Sequence, residues 1–360
     1  MRLLIVLLAA LANLPAQETI RVGIAGLAHG HAQGFLRTAL DRSDIEIVGI
    51  SEADSSTVDS YLKRFPKLDR SRIHASHAVM LDKAKPEAAM IFSSTFDHKE
   101  IVELCAARRI HVMMEKPLAV SMEHARAMVD VARRAGIHLL VNYETTWYPV
   151  NAPIWRMVHD RKNFGEVRRI VTHYGHQGPK EIGVGPEFLN WLTDPVKNGA
   201  GALFDFGCYG ANFATWIFDN QRPDSVTAVT HVNKPDIYPN VDDEATVIVQ
   251  YPKSQVIIQP SWNWPVSRKD MEVYGQTGYL ITSNRADYRF RGPGAKQDEV
   301  VTAPALAAPE DDVVRYLTAV VRGKVKPSGL SSLENNFIVT EILTAARESA
   351  RIGRTIHLKK

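Results

Sequence analysis

TIRVGIAGLAHGH, residues 19–31, joins a short apolar run to a turn that contains glycine, and a helical pattern follows through Leu40. The run Thr19–Ala25 is typical of a buried β-strand, and residues 26–31 predict a tight turn. A strand, a turn and a helix in this order bring free backbone N–H groups and the positive end of a helix to one point. The stretch therefore predicts the start of a dinucleotide-binding α/β domain.

Further strand-like runs follow this opening, and helical patterns separate most of them. The helix predicted over Ser121–Ala135 begins at a capping serine and ends before Gly136, a typical helix stop. Because strands that alternate with helices at this spacing form parallel sheets, residues 17–143 are expected to be a Rossmann domain with a doubly wound sheet. Its further predicted strands are 45–51, a short one near 73, 88–93, 110–114 and 139–142.

The pattern changes after Tyr143 to longer strands with alternating apolar and polar residues. Residues 144–360 are therefore expected to form an α+β domain with a large, mostly antiparallel open sheet that binds substrate and supports oligomerisation. A single helix is predicted over 202–218 within this domain, and two more near the end of the chain. The predicted strands include 167–173, 245–251, 255–260 and 271–274.

The first 16 residues have the layout of a secretory signal. Met1 and Arg2 precede the apolar run Leu3–Leu11, and small residues follow it. We expect this segment to be removed and the protein to be exported to a bacterial periplasm; a wrongly assigned start codon of a cytosolic protein is the alternative. No later run reaches 18 apolar residues, so no membrane span is expected after cleavage.

Composition excludes some classes of function. The 360 residues include 43 Lys and Arg against 40 Asp and Glu, a net charge of +3 without charged blocks, so a nucleic-acid partner is not expected. The two cysteines, Cys105 and Cys208, lack the spacing of a zinc or redox site. His173 and His176 have no carboxylate nearby in sequence, and we predict no metal site.

The glycine turn departs from the usual G-x-G-x-x-G pattern. Gly26, Ala28 and His31 occupy the three positions, and Gly30 is displaced by one. An ordinary strand-to-helix turn would look similar. Glu52 favours the cofactor interpretation, because a carboxylate at the end of the second strand accepts the ribose hydroxyls and repels a 2′-phosphate. We therefore expect NAD, with NADP as the alternative.

Several motifs occur in order along the chain. They are residues 21–26 (RVGIAG), His98, residues 115–117 (EKP), 198–216 (NGAGALFDFGCYGANFATW), 243–246 (DEAT) and 273–275 (VYG). Together they resemble the Gfo/Idh/MocA family of oxidoreductases, and the resemblance covers nearly all of the chain after the predicted signal.

The resemblance implies roles for particular residues. Lys116 of the EKP motif takes the position of the catalytic lysine, and Asp205 and Tyr209 fit the D-x-G-x-[HY] pattern that supplies its partners. Tyr209 stands where many members have histidine, and Asn212 where aspartate is common. Together with the turn, the resemblance implies these cofactor-binding residues: Gly26, Ala28, His29, Gly30, His31, Glu52, Ser94, His98, Glu115 and Lys116.

The residues themselves suggest how such a site works. Oxidation of a secondary alcohol needs a base for the proton and a cation that stabilises the developing alkoxide. We predict that Tyr209 is the acid/base, with its pKa lowered by the nearby ammonium of Lys116. Asp205 lies four residues before Tyr209, on the same face of the predicted helix, as a supporting or substrate-binding residue. A cis Lys116–Pro117 bond is also expected.

A sugar-binding site needs aromatic and polar side chains, because apolar sugar faces stack on rings. The candidates for substrate contacts are Tyr143, Trp147, His176 and Trp191. Each of them has an alternative interpretation as a core residue.

Three functions fit these patterns. The first is an oxidoreductase that acts on a secondary alcohol of a sugar, polyol or glycoside. The second is an NAD-dependent glycosidase in which oxidation is transient, and net NADH formation would separate these two. The third is a non-catalytic carbohydrate-binding or regulatory protein on the same fold. Because the periplasm supplies no free NAD, the cofactor is expected to be tightly bound, and a homo-oligomer is expected.

Overall fold

The computed structural model describes residues 19–160, 162 and 165–358. The predicted signal segment, residues 1–16, lies outside this range. Among the helices of the described part, none combines the length and apolar character that crossing a membrane requires.

A six-stranded parallel sheet forms the first layer of the protein. Its strands stand in the spatial order third, second, first, fourth, fifth, sixth, so the chain changes direction between the first and fourth strands. Ligands of such sheets bind at this point, beyond the carboxyl ends of the strands. The strands are β1 Ile20–Ala25, β2 Ile45–Ser51, β3 Ile73–His74, β4 Ala88–Ile91, β5 His111–Glu115 and β6 Leu139–Asn142.

Helices connect these strands, which confirms the predicted doubly wound architecture. The helix that follows β5 begins and ends where the sequence indicates: Ser121 accepts a hydrogen bond from the His124 backbone N–H, and Gly136 follows in the left-handed conformation. The helices are α1 His31–Ala39, α2 Ser55–Arg64, α3 His77–Ala84, α4 His98–Ala106 and α5 Met122–Ala135.

The turn after β1 requires glycine at its first position. Gly26 has a φ of +85°, and a Cβ added there would lie 3.1 Å from the carbonyl oxygen of Phe92. A larger residue would be strained and would push β1 away from the segment after β4. Gly26 therefore keeps the turn against the carboxyl edge of the sheet.

A nine-stranded sheet forms the second domain. Strands β7 and β10 are parallel, whereas the other neighbouring strands are antiparallel, which confirms the predicted, mostly antiparallel sheet. The strands, in spatial order, are β14 Glu299–Thr302, β13 Asp287–Arg291, β12 Tyr279–Thr282, β11 Arg268–Gly275, β7 Val167–Gly175, β10 Gln255–Ser261, β9 Glu244–Gln250, β8 Ser225–His231 and β15 Ile356–His357.

One face of this sheet is covered by helices and the other is open. Along β9, Val247 and Val249 are buried while Ile248, between them, is 37% exposed. The buried face packs against two of the remaining helices, α9 and α11. The helices after α5 are α6 Asn151–His159, α7 Pro186–Leu192, α8 Ala202–Asp205, α9 Gly207–Ile217, α10 Val313–Val321 and α11 Leu333–Ile352.

The expectation of one helix over 202–218 is wrong, because the chain breaks at Phe206 into α8 and α9. The break frees the Asp205 carbonyl, which accepts hydrogen bonds from Lys116 Nζ at 3.0 Å and from the Cys208 thiol. Asp242 fixes α8 from the other side, since its carboxylate accepts the N–H groups of Gly201 and Leu203. Contacts with distant residues therefore override the local helical pattern.

The chain returns to the first domain after the second sheet. Helix α10 places Val314 and Leu317 in the same buried cluster as Ile20 and Leu36. This packing joins the end of the chain to the core of the first domain.

Candidate active site

A cavity of about 980 Å³ opens between the carboxyl edge of the first sheet and the second domain. Lys116 reaches it from the end of β5, Asp205 from α8 and Tyr209 from α9. The structure thus brings the three predicted catalytic residues together. The Lys116–Pro117 peptide is cis, as the sequence analysis expects.

Lys116 and Asp205 form a buried ion pair at the base of this cavity. The distance from Lys116 Nζ to Asp205 Oδ1 is 2.5 Å, and Trp262 Nε1 donates to the second carboxylate oxygen at 3.0 Å. Burial by itself lowers the pKa of Lys116, but the attraction of Asp205, together with that of Cys208 and Glu115, outweighs it and the net shift is upward. The pKa of Asp205 is lowered, because Lys116 outweighs the opposite effect of burial. Both groups are therefore charged at neutral pH.

The ring of Tyr209 lies between two ammonium groups. Lys116 Nζ is 5.1 Å and Lys269 Nζ is 5.4 Å from the ring centroid. Tyr174 stacks on the same ring at 5.3 Å. No hydrogen bond to the Tyr209 hydroxyl occurs among the described residues, and Tyr209 lines the cavity.

The prediction that Lys116 lowers the pKa of Tyr209 is wrong. Burial raises the pKa of Tyr209 well above 10, and the neighbouring acidic groups, among them Cys208 and Glu144, add to this effect. The ammonium of Lys116 is paired with Asp205 and therefore does little to favour the phenolate. Tyr209 is thus a proton donor in the ligand-free protein.

Two residues that no sequence motif singles out, Lys269 and Glu144, also line the cavity. They form an ion pair, and the hydroxyl of Tyr148 donates to Glu144 Oε1 at 2.9 Å. Lys269 reaches the site because β11 pairs with β7 and places it opposite Tyr174. No local motif indicates this pairing, since it depends on the register of two strands far apart in the chain.

Glu52 and the glycine turn lie together on the other side of the cleft. Glu52 accepts the Leu27 N–H at 2.9 Å and the Asp54 N–H at 3.0 Å. Gly26, Ala28, Glu52 and Ser94 line a second cavity of about 290 Å³. A glycine cradle beside a carboxylate fits the ribose and phosphate groups of a dinucleotide.

His29, His31 and Glu115 cluster near the turn. Their nearest nitrogen and oxygen atoms lie within 4.8 Å of one another, a spacing that would allow one metal ion. However, His29 Nδ1 accepts the backbone N–H of His31 at 3.1 Å. Burial lowers the pKa of His29 well below 6.5, so the ring is neutral and carries its proton on Nε2. That nitrogen is a donor and not a ligand, and we assign no metal to the cluster.

Two expected cofactor-binding residues lie beneath the cleft. His98 is fully buried, with its Nδ1 atom 3.2 Å from the Leu118 carbonyl, and burial lowers its pKa to about 4. Glu115 is also buried, with one oxygen 2.9 Å from His31 Nδ1 and the other accepting a hydrogen bond from Asn142. Both residues support the walls of the cleft from behind.

The four residues expected to contact substrate lie in different parts of the structure. His176 lines the large cavity, and its Nδ1 accepts the Gly178 N–H at 2.9 Å. Tyr143 does not line the cavity in the ligand-free protein, because its side chain is 0% exposed and packs in the core. Trp147 does not line the cavity either: its ring packs against Tyr316 and its Nε1 donates to Asn142.

The remaining candidate, Trp191, lies elsewhere. It lines the smaller cavity beside the glycine turn, and its Nε1 donates to the Ala28 carbonyl at 3.3 Å. Trp191 therefore lies over the predicted cofactor groove and not among the residues of the large cavity.

The protein has a parallel sheet of the dinucleotide-binding type, and a cleft with a buried lysine separates it from a domain with an open sheet. This combination is typical of two-domain nicotinamide-binding proteins. Residues 20–143 match the model of the oxidoreductase family with an NAD-binding Rossmann fold. Residues 155–281 match the GFO/IDH/MocA C-terminal domain. The chain belongs to the Gfo/Idh/MocA family of oxidoreductases, which confirms the resemblance.

Similar proteins include two mammalian enzymes and two solved structures. The trans-1,2-dihydrobenzene-1,2-diol dehydrogenases of Sus scrofa and Bos taurus are 28% and 29% identical over 235 residues, 65% of this chain and 65% of theirs. The inositol dehydrogenase homolog from Azotobacter vinelandii, complexed with NAD+, has a TM-score of 0.81 at 16% identity and covers 95% of this chain and 98% of its own.

The second structure is the aldose-aldose oxidoreductase from Caulobacter crescentus, complexed with glycerol. Its TM-score is 0.78 at 18% identity, over 95% of this chain and 100% of that one. At these identities the solved structures establish the fold.

Proposed function

We propose that the protein transfers hydride between a secondary alcohol of a sugar, polyol or related diol and NAD. The observation that carries this proposal is the charged Lys116, held by Asp205 beside the ring of Tyr209 in the cavity between the domains. Two similar proteins are named as enzymes that act on a diol or on an aldose, and these names support this class of substrate.

The residues of the cavity have separate roles in the proposed reaction. Bound NAD supplies the hydride acceptor, and the turn from Gly26 to His31 together with Glu52 would hold it. Lys116 orients the substrate oxygen and stabilises negative charge on it, while Asp205 keeps the ammonium in place. Tyr209 gives a proton to that oxygen when a carbonyl is reduced and takes one when an alcohol is oxidised.

The test is a screen of polyols, aldoses and glycosides with NAD+, in which NADH formation and released aglycone are both measured. Stoichiometric NADH supports the proposal. Aglycone release without net NADH would instead identify the glycosidase with transient oxidation. Absence of both products, together with tight binding of a sugar, would identify a binding protein.

Glu52 carries the preference for NAD in this proposal. Replacement Glu52→Gln is expected to weaken NAD binding by about 10- to 100-fold, because hydrogen bonds of a charged group contribute about 1.5–3 kcal/mol. Binding of NADP should improve, since the charge that repels its 2′-phosphate is removed. Titration calorimetry with both dinucleotides measures these changes. Glu46→Gln, which replaces an exposed carboxylate on β2, is the control; equal losses in both variants would contradict the role of Glu52.

Export and cofactor retention belong to the same proposal. The signal-like residues 1–16 support a periplasmic location, where a retained cofactor is needed because no free pool supplies it. Mass spectrometry of the mature protein tests both points, through the mass of the cleaved N-terminus and of any nucleotide that remains bound.

The open face of the second sheet supports the proposed homo-oligomer. Val229 on β8 is 66% exposed and Ile248 on β9 is 37% exposed, so apolar side chains face outward. Ile248→Lys is expected to shift an oligomer to monomers, because a lysine would be desolvated in the interface. Sedimentation velocity measures this, with Val300→Lys at an edge strand as control; a wild-type monomer would refute the proposal.

A further inference from the structure

Helix α7 belongs to the second domain but packs on the glycine turn of the first. The Phe188 ring centroid lies 4.7 Å from that of His29, and a Cβ added to Gly30 would be 3.2 Å from Phe188. The Trp191 ring is 5.6 Å from His29, and its Nε1 donates to the Ala28 carbonyl. The helix is thus attached to the turn that the proposed function assigns to the cofactor.

The same helix separates the two cavities of the cleft. Asn190 and Trp191 line the smaller cavity, which contains Glu52. Phe188 and Leu192 line the larger cavity, which contains Lys116. A dinucleotide with its ribose at Glu52 and its nicotinamide near Lys116 must extend along the turn from one cavity to the other. It would therefore pass beneath α7.

The contact of Phe188 with the turn is made by side chains alone. Phe188 is only half-buried, and its packing on His29 joins two side chains and no backbone hydrogen bonds. Exposed residues lie on both sides of the helix, at 180–183 and 195–197. His29 is the fixed partner, because its backbone N–H is bonded to the Phe92 carbonyl at 2.9 Å.

We infer that Phe188 and Trp191 are cofactor-retaining residues, and that α7 is a clamp that closes over the middle of the bound dinucleotide. This inference rests on the proposed function, since it assumes that the turn binds NAD. Entry and exit of the dinucleotide then both require α7 to leave the turn, so exchange is slow in both directions. Such a clamp would keep the cofactor on a protein that meets no free nucleotide.

The experiment uses the full mature chain and NADH as the probe. Association is followed by stopped-flow fluorescence, and release by displacement of bound NADH with excess NAD+. Phe188→Ala is expected to raise both rate constants by roughly tenfold, because the aromatic contact that holds α7 closed is lost. The dissociation constant should change much less than either rate. Trp191→Phe, which removes the hydrogen bond to Ala28, should raise both rates by a smaller factor.

Val196→Ala is the matched control, because Val196 is 63% exposed in the segment after α7 and lines neither cavity. Faster release with unchanged association in both aromatic variants would overturn the clamp, since that pattern describes a simple contact with the ligand. Unchanged rates would overturn it as well. A failure of the wild-type protein to bind any nicotinamide dinucleotide would instead refute the proposed function itself, and the inference with it.

Discussion

Lys116→Met is expected to reduce hydride transfer by about 10²–10³-fold and to lower the free energy of unfolding by about 3–5 kcal/mol. The first effect follows from the loss of the cation that stabilises the substrate oxygen. The second follows because Asp205, which is buried with Lys116, loses its charge partner. Denaturant titration gives the stability, and NADH formation with the substrate found by screening gives the turnover.

A second substitution separates these two effects. In Lys116→Met with Asp205→Asn the buried charge is gone and an amide oxygen still accepts from Trp262 Nε1, so most of the lost stability should return while turnover stays low. Lys99→Met breaks the more exposed pair with Glu103 and should cost about 0–1 kcal/mol. Stability and turnover like those of the wild type in Lys116→Met would contradict the assignment of the lysine.

The sign of the pH dependence supplies a further check on the same variant. In the wild type the pKa of Asp205 is lowered, so the contribution of the pair is present at neutral pH and is lost as the pH falls through that lowered value. Without Lys116, burial alone raises the pKa of Asp205. The carboxyl then takes up a proton at a higher pH than in the wild type, and the difference in free energy of unfolding between variant and wild type narrows as the pH falls.

Local sequence signals were sufficient to predict the architecture of the first domain. The strands β2 and β6 have the predicted bounds, because each is a short, largely apolar run between polar segments. Helix α5 begins and ends as predicted because Ser121 and Gly136 satisfy its ends through their own conformations. These features depend only on residues that are close to one another in the sequence.

The active site depended on contacts that no local pattern encodes. Near the break at Phe206, Asp242 binds the start of α8 and Lys116 binds the Asp205 carbonyl, and both residues lie far from the break in sequence. Lys269 enters the cavity only through the register of β11 on β7. Tyr143 is of a residue type that is common in binding sites, but its side chain is fully buried and its ring packs edge-on against Tyr209.

Tyr209→Phe is expected to lower turnover by about 10²–10⁴-fold with little loss of stability. The ring keeps its packing on Tyr174, and the hydroxyl has no hydrogen bond among the described residues, so its removal leaves no buried group unpaired. Steady-state kinetics in both directions measures the loss, and thermal unfolding measures the stability. The conservative Tyr174→Phe variant of the stacked neighbour is the control, with turnover close to that of the wild type.

The pH profile decides whether Tyr209 is the acid/base. Because its pKa lies well above 10 in the ligand-free protein, carbonyl reduction should be independent of pH between 7 and about 10, where the phenol stays protonated. Alcohol oxidation needs the phenolate, so its rate should rise about tenfold per pH unit over the same range. The positive charge of oxidised nicotinamide favours the phenolate and moves the plateau to lower pH. Burial lowers the pKa of His176 from 6.5, so an oxidation rate that levels off below pH 7 in wild type and Tyr209→Phe alike would assign the proton transfer to His176.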